Sequence, residues 1–154
     1  MCEASMRPVS ILLVEDDRID AKAFVRAMET VRIGNPVTIA RDGVEAWDFL
    51  TGGSSGEPFP RPNIVVMDIN MPRMSGLELL RKIRADEELR DLVVFVLTTS
   101  NDDEDKFEAY NLNVAGYMLK SDMANGFVRA VEMMDKFWRV VELPTGPKQT
   151  ATAA

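Results

Sequence analysis

The chain contains no histidine. It therefore cannot carry a phosphohistidine or use an imidazole base, and Ser-His-Asp catalysis and most zinc sites are excluded with it. Its single cysteine, Cys2, lies in an N-terminal segment, so no disulfide can close within the chain and a reducing compartment fits. No stretch approaches the roughly 18 apolar residues of a membrane helix, and no secretory leader is legible. The expectation is a soluble, cytoplasmic protein. Positive charge is also scarce: 18 Lys and Arg against 25 Asp and Glu leave a net charge of −7. A phosphate backbone calls for a basic surface, so nucleic acid is a poor candidate partner.

What is present is ordinary globular composition, 46% hydrophobic and 28% charged over 154 residues. That is enough chain for one domain with a proper core. The most informative stretch runs from Asn63 to Pro72. Four apolar residues, Ile64 to Met67, follow Pro62 and lead into one carboxylate, Asp68. A short apolar run bounded by proline suits a strand buried on both faces, as in a parallel sheet. Three further runs resemble it, Ser10 to Val14, Leu92 to Leu97 and Ala115 to Leu119, with a shorter one at Val37 to Ala40.

Helical patterns separate them. Phe24, Ala27, Met28 and Val31 recur at helical spacing and predict a first helix from about Arg18 to Val31. Asp42-x-x-Glu45 resembles a capping box and opens a second helix to Leu50, with Trp47 and Leu50 inward. Thr51 to Pro62 is a loop by composition, placed at the pole opposite Asp68. Ser75-x-x-Glu78 starts a third helix with Leu77, Leu80 and Ile83 inward, and Asn101-x-x-Glu104 starts a fourth, from 102 to about 111. Its acidic first turn, Asp102 to Asp105, reads first as a solvated helix start and second as a docking surface. Five alternations of strand and helix predict a doubly wound α/β fold with a parallel sheet. The expected organisation is a tail over 1–8, one domain over 9–143 and a second tail over 144–154.

In such sheets the chemistry gathers at the carboxyl ends of the strands. Those ends carry Glu15-Asp16-Asp17, Asp68, Thr98-Thr99-Ser100 and Lys120. Clustered acids suit a hard divalent cation, Mg²⁺ being the common choice. A lysine and hydroxyls facing that cation suit an oxyanion, most simply a phosphoryl group. Each residue also has a plainer explanation. Glu15 to Asp17 can cap a helix, and Asp17 alone is best left to that role. Lys120 can be a surface lysine, Thr98 a strand residue, and Tyr117 a packing aromatic.

The set Val14-Glu15-Asp16-Asp17, Met67-Asp68-Ile69-Asn70-Met71-Pro72 with Gly76, Leu97-Thr98-Thr99-Ser100 and Gly116-Tyr117-Met118-Leu119-Lys120 resembles the receiver domain of two-component response regulators. Arg41 to Ala46, Leu97 to Asn101 and Phe137-Trp138 before Leu143-Pro144 are most similar to the single-domain regulators that serve bacterial phytochrome kinases. The resemblance implies a flavodoxin-like sheet in the order 2-1-3-4-5. It implies Asp68 as phosphoacceptor for a sensor histidine kinase. It implies Mg²⁺ held by Asp16, Asp68 and the Asn70 backbone carbonyl, with Glu15 acting through a metal-bound water. Lys120 would pair with Asp68 and then with the phosphoryl oxygens, Thr98 would be the switch hydroxyl, and Tyr117 the aromatic coupled to it. No separate substrate is implied, so the chain is not expected to be an enzyme.

Two departures stand out. The family usually places a cis proline after the lysine, where this chain has Ser121; a cis Lys120–Ser121 bond is expected if the lysine reaches the site the same way. Thr99 is also larger than usual and could narrow phosphoryl access. Competing functions are an aspartate-based phosphatase of the haloacid dehalogenase type and a non-phosphorylated interaction module. The first expects Asp-x-Asp on the first strand, where this chain has Asp68 on the third and Asn70 at +2. Only Thr145 to Ala154 follow the closing helix, so output is expected through protein contacts. That helix is expected over Met123 to Leu143, with adjoining stripes of Phe127, Val131, Met134, Trp138, Val141 and of Ala130, Met133, Phe137, Val140. Such a wide apolar surface predicts a homodimer; the plainer alternative folds Phe137 and Val140 over the chain's own core.

Overall fold

The computed structural model describes residues 9–53, 60–123 and 126–144. The expected N-terminal tail, the second tail beyond Pro144 and most of the Gly/Ser/Pro loop before Pro60 lie outside these residues. Five strands and five helices alternate: β1 (Ile11–Val14), α1 (Arg18–Thr30), β2 (Val37–Ala40), α2 (Gly43–Thr51), β3 (Ile64–Met67), α3 (Gly76–Ala85), β4 (Val93–Thr98), α4 (Asp103–Asn111), β5 (Gly116–Leu119) and α5 (Val128–Val140). The strands are all parallel in the order β2-β1-β3-β4-β5. The expected order is thus found, with β3 in the middle.

Side chains alternate across the strands and feed two cores. Leu12, Val14, Val65, Met67, Val94 and Val96 face α2, α3 and α4, where Ala46, Leu50, Leu77, Leu80, Ile83 and Ala109 close over them. Ile11, Leu13, Ile64, Val66, Phe95 and Leu97 face α1 and α5, under Ala21, Phe24, Ala27, Met28, Ala130, Val131 and Met134. Every residue of β1 and β3 is buried. This is why their sequences are unbroken apolar runs: a strand covered on both faces has no solvent side to leave polar.

Helix starts follow local chemistry. Asp17 accepts from the amides of Ile19 and Asp20, Asp42 from that of Glu45, and Ser75 from that of Glu78. Each supplies an acceptor for amide groups that the first helical turn leaves unpaired. α2 closes on Gly52, whose φ of 93° only glycine adopts without strain.

Several boundaries move. The N-cap of α4 is Asp102, not Asn101, because the Asp102 carboxylate reaches the amides of Glu104 and Asp105. β1, β4 and β5 each begin one residue later than expected, and β4 includes Thr98 as its last residue. α2 extends one residue past Leu50. Trp47 is half-buried, with Lys82 Nζ 5.0 Å above its ring, so it packs at the margin rather than fully inward.

The closing helix is shorter than expected. It starts after Phe127 and ends at Val140 rather than spanning 123–143. A 3-10 turn over Lys120–Asp122 follows β5 instead. The double apolar stripe is partly consumed by the chain's own core: Phe137 meets Phe95 edge to face, ring centroids 5.2 Å apart, and Trp138 packs on the same cluster. Val140 and Val141 remain exposed. Among the described residues no helix is long and apolar enough to cross a membrane.

Candidate functional site

The parallel register carries β1, β3, β4 and β5 to one pole together. Their carboxyl ends deliver Glu15, Asp68, Thr98 and Lys120 to a single cluster. Asp68 follows β3 and is 5% exposed. Its Oδ1 accepts from the backbone N–H of Ile69 at 2.6 Å and of Asn70 at 3.3 Å, and from the Thr98 hydroxyl at 2.6 Å. Its Oδ2 accepts from Lys120 Nζ at 3.0 Å. Both oxygens are therefore held, which fixes the direction of the carboxylate.

Gly76 sets the approach of α3 to this site. Its amide donates to the Ile69 carbonyl at 2.9 Å. A Cβ at position 76 would lie 2.1 Å from the Asp68 carbonyl oxygen. No other residue lets the helix start so close to the strand end.

Glu15, Asp16 and Asp68 offer carboxylate oxygens that all lie within 4.8 Å of one another, with Glu15 and Asp68 buried and Asp16 exposed. Burial, together with the Asp68 charge, pushes the Glu15 carboxyl up to about 7, against the pull of Lys120. Crowded acids of this kind fit a hard divalent cation, which takes oxygen ligands and relieves their repulsion. Asn70 is exposed two residues beyond Asp68, and its backbone N–H donates to Asp68 Oδ1 at 3.3 Å.

Lys120 is the hub. Its Nζ lies 2.7 Å from Glu15 Oε1, 2.7 Å from Asp20 Oδ2 and 3.0 Å from Asp68 Oδ2. Burial opposes its charge, yet the hydrogen bonds to Asp20, Glu15 and Asp68 outweigh it and hold the ammonium above its ordinary value. The expected cis bond after it is absent: no cis peptide occurs among the described residues. The 3-10 turn at Lys120–Asp122 carries the chain away through a trans bond and still delivers the ammonium.

Thr98 is fully buried and links two sides of the site. Its hydroxyl donates to Asp68 and accepts from the Ser100 amide at 3.2 Å. The Ser100 carbonyl in turn accepts from the Tyr117 hydroxyl at 2.9 Å. Burial raises the pKa of that phenol, against its hydrogen bond to Ser100. Thr98 and Tyr117 are thus joined through one residue's backbone. Thr99 is exposed, and Asp17 serves as the N-cap of α1, outside the cluster.

Of the expected residues, Glu15, Asp16, Asp68, Thr98 and Lys120 come together here, Tyr117 is joined through Ser100, and Asn70 is tied by its amide to Asp68. Sequence reading missed two. Asp20 lies one turn into α1 and looks there like a surface acid; only the fold brings it to Lys120. Ser100 looked like one hydroxyl of a run, whereas its backbone is what matters.

Residues 11–132 match the response regulator receiver domain family. The chain belongs to that family. It is 35% identical over 145 residues to response regulator Rcp1 of Synechocystis sp., across 94% of this chain and 99% of that protein. The crystal structure of the Mn(2+)-bound form of Rcp1 superposes with a TM-score of 0.81, at 35% identity, over 90% of this chain and 100% of that one. The phosphorylated cyanobacterial phytochrome response regulator RcpA also gives a TM-score of 0.81, at 31% identity, over 90% of this chain and 100% of that one. The protein is a receiver-domain response regulator of phosphorelay signalling, and its acid cluster is suited to a divalent cation.

Proposed function

We propose that Asp68 accepts a phosphoryl group from the phosphohistidine of a sensor kinase, and that the chain relays this signal through protein contacts. The observation that carries the reading is the convergence of Lys120 Nζ and the Thr98 hydroxyl on the two oxygens of one buried carboxylate. A carboxylate is a weak nucleophile, so the site must act through positioning and charge neutralisation. An Asp68 oxygen attacks phosphorus; the O–P bond forms as the N–P bond breaks, and the electron pair leaves on the kinase imidazole, which takes a proton. The Lys120 ammonium meets charge on the phosphoryl oxygens, and the Thr98 hydroxyl is free to turn from Asp68 to one of them. Through Ser100 that turn reaches Tyr117.

The donor set fits Mg²⁺, with Asp16, Asp68 and the Asn70 carbonyl as ligands and Glu15 through water. When bound, the cation supplies neutralisation of the acids and of the incoming phosphoryl charge. The similarity to Rcp1 and RcpA supports a phytochrome kinase as the donor. The net charge of −7 argues against nucleic acid as a partner. A cytoplasmic setting fits the lone cysteine, and an acceptor without a separate substrate is not an enzyme in its own right. Exposed Met133, Val140 and Val141 support a homodimer through α5.

The test is labelling with acetyl phosphate and Mg²⁺, followed by phosphotransfer from candidate kinases. Wild type should take one phosphoryl group and Asp68→Asn none. Label at the wild-type level on another aspartate in the variant would refute the assignment. Light scattering at micromolar concentration should report about twice the chain mass if the dimer forms; a monomer with and without phosphorylation would refute that part. Truncation after Lys136 is a poor test of it, since Phe137 packs on Phe95 within the domain.

A further inference from the structure

We propose that Asp20 is the positioning residue for Lys120, fixing the ammonium for both gain and loss of the phosphoryl group. This deepens the reading of Asp68 as acceptor and rests on it. An ammonium has three N–H donors. In Lys120 each finds a carboxylate: Glu15, Asp20 and Asp68. The three partners have different duties. Asp68 is the group that reacts, so its bond to Lys120 must loosen as the phosphoryl oxygens arrive. Glu15 belongs to the acid cluster, and its charge is shared with a cation. Asp20 has neither task and is not among the acids that can close on one metal ion. It is therefore the one partner of Lys120 that stays unchanged through the reaction.

The need for such a partner follows from the backbone. Lys120 opens a 3-10 turn with trans peptide bonds, next to exposed Ser121 and Asp122. The ammonium at the end of that four-carbon side chain must be held by groups outside the turn, and a lysine loses rotamer freedom each time it is fixed. Asp20 sits on α1, held by the Asp17 cap that accepts its amide at 3.2 Å. α1 is in turn anchored by buried Ala21 and Phe24. A rigid helix thus presents an acceptor 2.7 Å from the ammonium. The cation is fixed in place before phosphate arrives, which is where electrostatic catalysis gains most.

Lysine held in this way lowers the barrier to transfer onto Asp68 and equally to transfer from Asp68 to water. Both rates should fall together when it is released. A negative charge acting only as a brake on the phosphorylated state would behave otherwise: its removal would speed gain and slow loss.

The experiment compares wild type, Asp20→Asn and Asp20→Ala well below their melting temperatures. The rates of acetyl phosphate labelling and of label loss are measured at saturating Mg²⁺, with Mg²⁺ affinity from calorimetry. Asp20→Ala should slow both rates about tenfold, the scale of one lost charge-assisted hydrogen bond. The maximal labelling rate should fall with little change in the acetyl phosphate concentration for half-maximal rate. Asp20→Asn keeps an acceptor oxygen and should recover most of the rate. Mg²⁺ affinity should stay within about threefold of wild type in both variants, a small effect on the tenfold-per-1.4 kcal/mol scale. Labelling of Asp20→Ala within twofold of wild type, faster gain with slower loss, or collapse of Mg²⁺ affinity would each overturn the proposal. Wild type that takes no label on Asp68 would instead overturn the acceptor reading beneath it.

Discussion

The two ends of the sheet are made by the same strands and have opposite chemistry. At the carboxyl end, Glu15, Asp68, Thr98 and Lys120 form a buried polar network in which every described group is satisfied. At the amino end, Ile11, Leu12, Phe49, Leu50, Pro60 and Pro62 line an apolar hollow of about 220 Å³ with little polar surface. The side-chain ties beside it are neutral ones: the Asn63 carboxamide accepts from the amide of Ser10 and the Asn35 carboxamide donates to the Val9 carbonyl, each at 2.8 Å. The difference teaches where a parallel sheet can afford function. Strand ends that point polar side chains at a common centre lose packing and gain chemistry; the opposite ends keep the packing. Changes at one pole should therefore cost activity, and at the other stability.

The largest effect that blurs this division is expected from Gly76→Ala. A Cβ 2.1 Å from the Asp68 carbonyl oxygen must push α3 off the strand end. We expect a loss of about 3 kcal/mol or more in chemical denaturation, with labelling lost as well. Near-wild-type stability would mean that the helix start moves without cost. At the amino pole, Leu12→Ala should cost about 2–4 kcal/mol while the labelling rate of folded protein is unchanged. A slowed rate there would show that the poles are coupled through β1.

At the carboxyl pole, Asp16→Ala should weaken Mg²⁺ at least tenfold in calorimetry, about 1.4 kcal/mol, with fold stability little changed because Asp16 is exposed. Glu15→Gln should weaken it less. Equal affinity in Asp16→Ala and wild type would remove Asp16 from the ligand set.

A further effect at this pole concerns pH in the absence of metal. The Glu15 carboxyl ionises near its usual 4.5 when unfolded and at about 7 when folded. The folded state therefore holds the proton more tightly. Its stabilising contribution is complete below pH 4.5 and is lost as pH rises through 7. In EDTA, stability should fall by about 1–3 kcal/mol between pH 5 and 8, and Glu15→Gln should flatten that slope. A wild-type profile as flat as the variant's would show that Lys120 already keeps Glu15 ionised.

Much of this was legible in the chain because it rests on short-range rules. β3 was readable from four apolar residues after Pro62, and α1, α2 and α3 from phased apolar positions with an acid or serine before each. Asp68, Thr98 and Lys120 were readable because each ends an apolar strand. What failed, failed where distant groups decide. The Met123 to Leu143 pattern is helical throughout by phase, yet α5 spans only Val128–Val140 and gives way to extended backbone at Val141. The Lys120–Ser121 bond was expected to be cis by analogy; in this chain a 3-10 turn does the same work in trans.

By itself, then, the sequence determined the strand and helix alternation, the caps and the residues that end each buried strand. These depend on backbone amides and side chains within a few positions of one another. Tertiary structure alone decided that Asp20 reaches Lys120 across 100 residues, that Phe137 closes on Phe95, and that the Arg84 guanidinium is spent on the carbonyls of Arg90, Leu92, Leu112 and Asn113. Nothing local distinguishes Asp20 from other helix acids, or Arg84 from Arg81. Their partners come from other strands and loops, and a long-range contact is fixed only when the packed sheet sets the distance between them.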